Sequence, residues 1–211
     1  MKSGAPLRSP ELMQEFERLR EELPARSIAV TGARGGEGVT TVALGIARAL
    51  AARGPTLLAE GNLRQPTLAQ RLGLQGASLL DWDRTGPLPV QELPETPGLF
   101  VLCGGQEGAR SLRDDDIPAL LGAAARQART QFAQVIWDTP PLTFHPDLLV
   151  LAPHVDGALV VVEMDSSRVD ELRFLRDVLA RAQIPIIGSL LNRSGRYWPR
   201  PRRRAVLGMP R

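Results

Sequence analysis

The run Thr31-Gly-Ala-Arg-Gly-Gly-Glu-Gly-Val-Thr-Thr41 holds the residue types that cradle a phosphate. Glycines let successive backbone N–H groups converge on an anion, and a helix starting at the end of the run adds its positive pole. Position 39 is where a lysine reaches the outer phosphates, and here it is Val39. The pattern predicts a nucleotide cradle, formed by Gly35, Gly36, Glu37, Gly38, Val39, Thr40 and Thr41, without its principal cation.

Three more residues that can do chemistry follow apolar runs. Glu60 follows Thr56-Leu-Leu-Ala, Asp138 follows Gln134-Val-Ile-Trp, and Asn192 follows Ile184–Leu191. The cradle itself follows Ser27-Ile-Ala-Val. Short apolar runs of this kind read as buried strands. Between them lie helical patterns: Leu12, Phe16, Leu19 and Leu23 after the start signal Ser9-Pro10-Glu11; Thr40–Arg53, closed by Gly54-Pro55; Pro66–Leu72, closed by Gly73; Ile117 to Phe132; a short helix around Pro146–Leu151; and Leu172, Leu175, Leu179 and Ala182. Residues 81–97 read as loop and Leu99–Cys103 as a short strand. Alternation of strand and helix predicts an α/β fold, a P-loop NTPase-type three-layer sandwich with a mostly parallel central sheet. Ligands of such sheets sit at the carboxyl ends of the strands, where all four sites can meet.

Composition fits one soluble domain: of 211 residues, 43% are hydrophobic and 23% charged. Residues 1–8 read as a disordered N-terminus, 9–193 as the folded domain and 194–211 as a basic tail. No apolar run approaches a membrane span and no signal peptide is visible. The lone cysteine, Cys103, reads as a small core residue in a reducing compartment. His145 and His154 lack the companions a metal site needs. The net charge of +3 conceals an asymmetry, for the seven arginines from Arg193 onward leave 19 basic and 23 acidic residues in the body. Lys2 is the only lysine. A preference for arginine accounts for lysine becoming arginine, not valine.

Taken in order, the motifs resemble the cytoplasmic domain of bacterial tyrosine kinases, a family of deviant P-loop ATPases serving capsule and exopolysaccharide export. Gly35-Gly-Glu-Gly-Val-Thr-Thr41 resembles the family's Pro-Gly-Glu-Gly-Lys-Ser-Thr. Leu57-Leu-Ala-Glu-Gly-Asn-Leu-Arg-Gln-Pro66 resembles its second motif, in which two aspartates precede Leu-Arg and a proline. Asp138-Thr-Pro-Pro141 matches the third, Asp147 matches a further aspartate, and Val155–Val162 and Leu191-Asn-Arg193 also match. The resemblance implies ATP or ADP with Mg²⁺ as cofactor, Thr40 and Asp138 at the metal, Glu60 and Asn62 in the two aspartate positions, Asn192 at the adenine, and Arg64 and Asp147 organising the site. It also implies a cytoplasmic location, at the inner face of the membrane, and a membrane-bound polysaccharide co-polymerase or adaptor as partner.

The departures point one way. Val39 removes the lysine, Asn62 removes a carboxylate, and Glu60 lengthens an arm. Losing one preorganised charge donor costs about 3–4 kcal/mol of transition-state stabilisation. Displacing a reacting group by a bond length costs ~10²-fold in rate. The expectation is a regulatory or structural partner in which phosphoryl transfer is weak or lost. One alternative is an active kinase or ATPase in which Arg34 or a partner residue supplies phosphate charge, as an arginine finger does; the plainer reading of Arg34 is a solvated loop residue. Another is a partition-type ATPase relative binding membrane or DNA. The family's assembly motif Glu-x-x-Arg-x-x-Arg survives here only as Gln14, Glu17 and Arg20, which leaves homo-oligomer formation by that route in doubt. Its tyrosine cluster is reduced to Tyr197. The tail Arg196–Arg204 reads first as a solvated end, then as an anionic membrane contact, with nucleic acid the least favoured.

Overall fold

The computed structural model describes residues 10–23, 26–105, 116–141, 146–164 and 166–192. The readings placed on residues 1–8, His145, the side chain of Asp147, Tyr197 and the basic tail lie outside them. Seven strands form one sheet: β1 (Ser27–Gly32), β2 (Thr56–Glu60), β3 (Gln91–Glu92), β4 (Leu99–Leu102), β5 (Gln134–Asp138), β6 (Gly157–Glu163) and β7 (Ile186–Asn192). Their spatial order is β3-β4-β2-β5-β1-β6-β7. Only β3 runs antiparallel, against β4.

The strands sort their side chains by parity, as the pleat requires. Ile28 and Val30 of β1, with Leu58 and Ile136, enter one core. Ala29, Leu57, Ala59, Val135 and Trp137 enter the other. Helices α1 (Pro10–Glu22), α2 (Val39–Ala51) and α3 (Leu68–Leu72) cover the first face; α4 (Asp116–Gln131), α5 (Val169–Arg181) and the 3-10 helix Pro146–His154 lie on the second. Two cores on two faces make three layers, the architecture expected. Strands covered on both faces are apolar throughout, and every residue of β1 is buried.

Helix α1 docks through one close approach. A Cβ at Gly45 of α2 would lie 2.1 Å from the Phe16 ring, so the absent side chain is the seat for Phe16, which is 3% exposed. Arg20 reinforces the contact by donating to the Ala49 carbonyl (3.1 Å) in the last turn of α2. It also pairs with Glu17 and Glu21. The one arginine kept from the assembly motif is therefore held within its own chain.

Sequence and structure differ in detail. Helix α2 begins at Val39, one residue before the expected start. The stretch 81–97 holds β3, where Leu93 donates to the Leu99 carbonyl (2.7 Å) and closes a tight hairpin onto β4. Two residues among prolines and acids carry no period a strand would show.

Candidate nucleotide site

Four strand ends build the site. β1 and β5 are neighbours, with Val30 opposite Asp138, and β5 and β2 are neighbours, with Glu60 opposite Asp138. The glycine-rich loop, Glu60 and Asp138 are thereby brought to one edge of the sheet. β7, two strands from β1, delivers Asn192 to the same edge: its Nδ2 donates to the Glu37 carbonyl (2.7 Å).

The loop has the backbone of an anion cradle. Gly35, Gly36 and Gly38 have φ of 103°, 81° and 90°, a region that residues with a Cβ rarely adopt. Helix α2 starts from Gly38 with no side-chain cap and no acid in its first turn, which leaves its terminal N–H groups to a ligand. Asn192 closes over Gly38, where a Cβ would come within 2.3 Å of its Nδ2. The amide expected at the adenine thus also braces the loop.

Position 39 does not supply the charge. A Cβ on Gly32 would lie 3.2 Å from Val39 Cγ2 and 1.8 Å from Glu37 Oε2, so both side chains turn back over the Gly32 backbone. Glu37 is fully buried. Its carboxylate accepts from the Ser167 hydroxyl (2.9 Å) and, at 3.4 Å, from the Arg34 N–H. A methyl group and a buried carboxylate thus lie together over Gly32, and neither carries positive charge. Ser167, in the turn between β6 and α5, was not among the expected site residues; a serine in a polar connection carries no signal in sequence.

Arg34 points elsewhere. Its Nη1 donates to the Ser166 carbonyl (3.0 Å) and its Nε lies 3.9 Å from Glu171 Oε1, with the side chain 44% exposed.

Glu60 is 1% exposed and its carboxylate is fully engaged by backbone. Oε1 accepts from Thr67 N and from Leu68 N (2.9 Å), and Oε2 from Gly104 N (2.8 Å). Helix α3 has no cap from its own Thr67 side chain, and Glu60 takes that place from β2. Burial raises its pKa against these three donors. The adjacent Asn62 Oδ1 accepts from Gln65 N (3.2 Å) and shapes the turn before α3.

Asp138 is a buried carboxylate that shares the site edge with Thr40. Burial is the main cause that lifts its pKa to about 7, the Thr40 hydroxyl bonded to it works in the opposite sense, and the Glu60 charge adds to the rise. Thr139 fixes the turn beyond, its hydroxyl donating to the Val30 carbonyl (2.8 Å). The cradle backbone and the Thr40–Asp138 pair fit a magnesium nucleotide; position 39 does not. Among the described residues no group of three or more His, Cys, Asp or Glu gathers as a metal cluster.

No protein-family model matches the chain. The tyrosine-protein kinase YwqD of Bacillus subtilis is 25% identical over 174 residues, which span 79% of this chain and 72% of the kinase. The VpsO kinase domain superposes with a TM-score of 0.72 at 26% identity, over 90% of this chain and 99% of that domain. The chain resembles the cytoplasmic domain of bacterial tyrosine kinases. This kinase-like domain also shares the wider P-loop ATPase fold. The septum site-determining protein MinD of Pyrococcus horikoshii, complexed with Mg-ADP, superposes at a TM-score of 0.66 and 21% identity, over 81% of this chain and 71% of that one. An iron-sulfur cluster carrier protein of Methanocaldococcus jannaschii is 26% identical over 203 residues, 89% of this chain and 67% of the carrier.

Proposed function

We propose that this kinase-like domain serves exopolysaccharide or capsule synthesis or export as a regulatory or structural partner, with phosphoryl transfer weak or lost. One observation carries the impaired reading. The side chain at position 39 is a methyl-bearing stub lying beside the buried Glu37 carboxylate, where phosphate needs a cation. The capture of Glu60 by three backbone donors supports it, since oxygens held by those N–H groups are not free to turn toward a metal or a substrate hydroxyl. In this reading the loop from Gly35 to Thr41 holds the phosphates, Thr40 and Asp138 hold Mg²⁺ when ATP or ADP binds, and Asn192 meets the adenine. Bound magnesium would neutralise phosphate charge that the loop leaves uncompensated. The proposed location is cytoplasmic, at the inner membrane face, beside a membrane-bound polysaccharide co-polymerase or adaptor. Among the described residues no helix is long and apolar enough to cross a membrane.

A working kinase or ATPase that uses Arg34 is the second reading, favoured by the 44% exposure of that side chain. Against it, the guanidinium is held by Ser166 and Glu171. The carrier chemistry of the archaeal relative finds little support. Clusters are held by several thiolates, whereas the single cysteine of this chain, Cys103, is buried and its thiol pushed up to about 12.

Calorimetric titration with ATP, with and without Mg²⁺, paired with a turnover assay, separates these readings. Weak or absent binding without turnover is expected; micromolar Mg-ATP binding with turnover overturns the impaired reading. Deleting the gene should change the yield or chain length of the surface polysaccharide, and an unchanged polymer contradicts the assigned role.

A further inference from the structure

Away from the nucleotide site, a trough of about 650 Å³ runs between α4 and the 3-10 helix Pro146–His154. Ala119 and Ala123 form its α4 wall, and Leu149 and Val150 the opposite one. Leu149 is 38% exposed, one of four large apolar side chains left so open among the described residues. Gly122 keeps the floor bare. Arg84 and Arg126 stand along the trough, both exposed and neither with an acid partner among the described residues. Their neighbour Arg129, by contrast, is tied to Asp156 (2.8 Å) and to the His154 carbonyl (3.0 Å). His154 lines the same trough, and its pKa is lowered by burial first, then by Arg126 and Arg129.

We propose that this trough docks an acidic, leucine-bearing peptide segment of a partner protein, its aliphatic side chains against Leu149, Val150 and Ala123 and its carboxylates on Arg84 and Arg126. Charge complementarity selects the occupant. Two unpaired guanidinium groups above an apolar floor favour alternating carboxylate and aliphatic side chains, and a carboxylate reaching both is held by charge-assisted hydrogen bonds. The chain's own tail, with seven arginines and no acid, is repelled. A bilayer presents no ridge to enter a concave trough. Nucleic acid would want aromatic platforms for its bases, and among the described residues none lines this site. Nothing in the proposal depends on nucleotide binding.

The test uses the full chain and a short, acetylated and amidated peptide alternating glutamate with leucine. The arginine-rich tail also attracts carboxylates, so the readout is local: the His154 imidazole pKa followed by NMR. The expected result is saturable binding that raises this pKa by about half a unit or more. Serine in place of leucine in the peptide should abolish the rise. The Arg84→Ser, Arg126→Ser double variant should weaken binding roughly tenfold, and Leu149→Ser should weaken it with all charges kept. Circular dichroism checks that both variants fold. A His154 pKa unmoved at saturation, or wild-type affinity in both variants, overturns the proposal.

Discussion

Glu60 and Asp138 stand opposite each other on the parallel strands β2 and β5, two buried carboxylates that the register places side by side. Their environments part them. Glu60 is bonded to three backbone N–H groups, whereas Asp138 is bonded to the Thr40 hydroxyl and faces the loop. One is a component of the fold, and the other is the carboxylate that the proposed function gives to magnesium.

The first prediction follows from Asp138. Its pKa of about 7 in the fold lies above the ordinary 3.8, so the folded protein keeps a proton that the unfolded chain has lost. The contribution of this group to stability is therefore greatest below about pH 4, declines as pH rises, and is flat above about pH 7. Urea unfolding without magnesium should show Asp138→Asn more stable than wild type at pH 8, by on the order of 3 kcal/mol, with the gap closing toward pH 4. A gap independent of pH contradicts the shift.

Restoring the family's carboxylate at position 60 should do harm. Glu60→Asp shortens the arm by about one C–C bond, drawing the carboxylate back from Thr67, Leu68 and Gly104. Each buried donor left unsatisfied costs about 1–3 kcal/mol. Thermal unfolding should show a loss of roughly 3 kcal/mol with no gain in turnover. A neutral effect would mean that the capping role is overstated.

Gly45→Ala should detach α1. The added methyl meets the Phe16 ring at 2.1 Å, so the ring must leave its seat on α2. A loss of about 1–3 kcal/mol is expected in chemical unfolding. Phe16→Leu in the same chain should recover part of it, since a smaller side chain clears the new methyl. Failure to recover any would place the strain elsewhere.

Much of this arrangement is legible in the sequence. Ser27–Val30, Thr56–Glu60, Gln134–Trp137 and Ala158–Val162 are strands buried on both faces, and such strands announce themselves as apolar runs. The edge residues that meet at the site follow from those strands. What the sequence hides is where polar side chains turn. Glu37 reads as one more loop residue, yet its carboxylate is buried against Ser167 from a connection 130 positions away. Glu60 reads as a residue for chemistry, yet helix α3 lacks a cap of its own and recruits it. Both outcomes are settled by which donors the tertiary fold leaves unpaired, and no spacing within the chain encodes that. Asn192 is intermediate: its strand-end position is plain, its bond to the Glu37 carbonyl is not.

The central claim is that the loop keeps a phosphate cradle and lacks the cation that makes it effective. Calorimetry of Mg-ATP binding to the full chain, wild type against Val39→Lys, tests this most directly. A lysine there reaches both the Glu37 carboxylate and bound phosphate, so affinity should rise about tenfold or more, the scale of one charge-assisted contact. Turnover should stay undetectable, because Asn62 and the engaged Glu60 remain. Unchanged affinity in Val39→Lys, or kinase-like turnover by the wild type, would contradict the account.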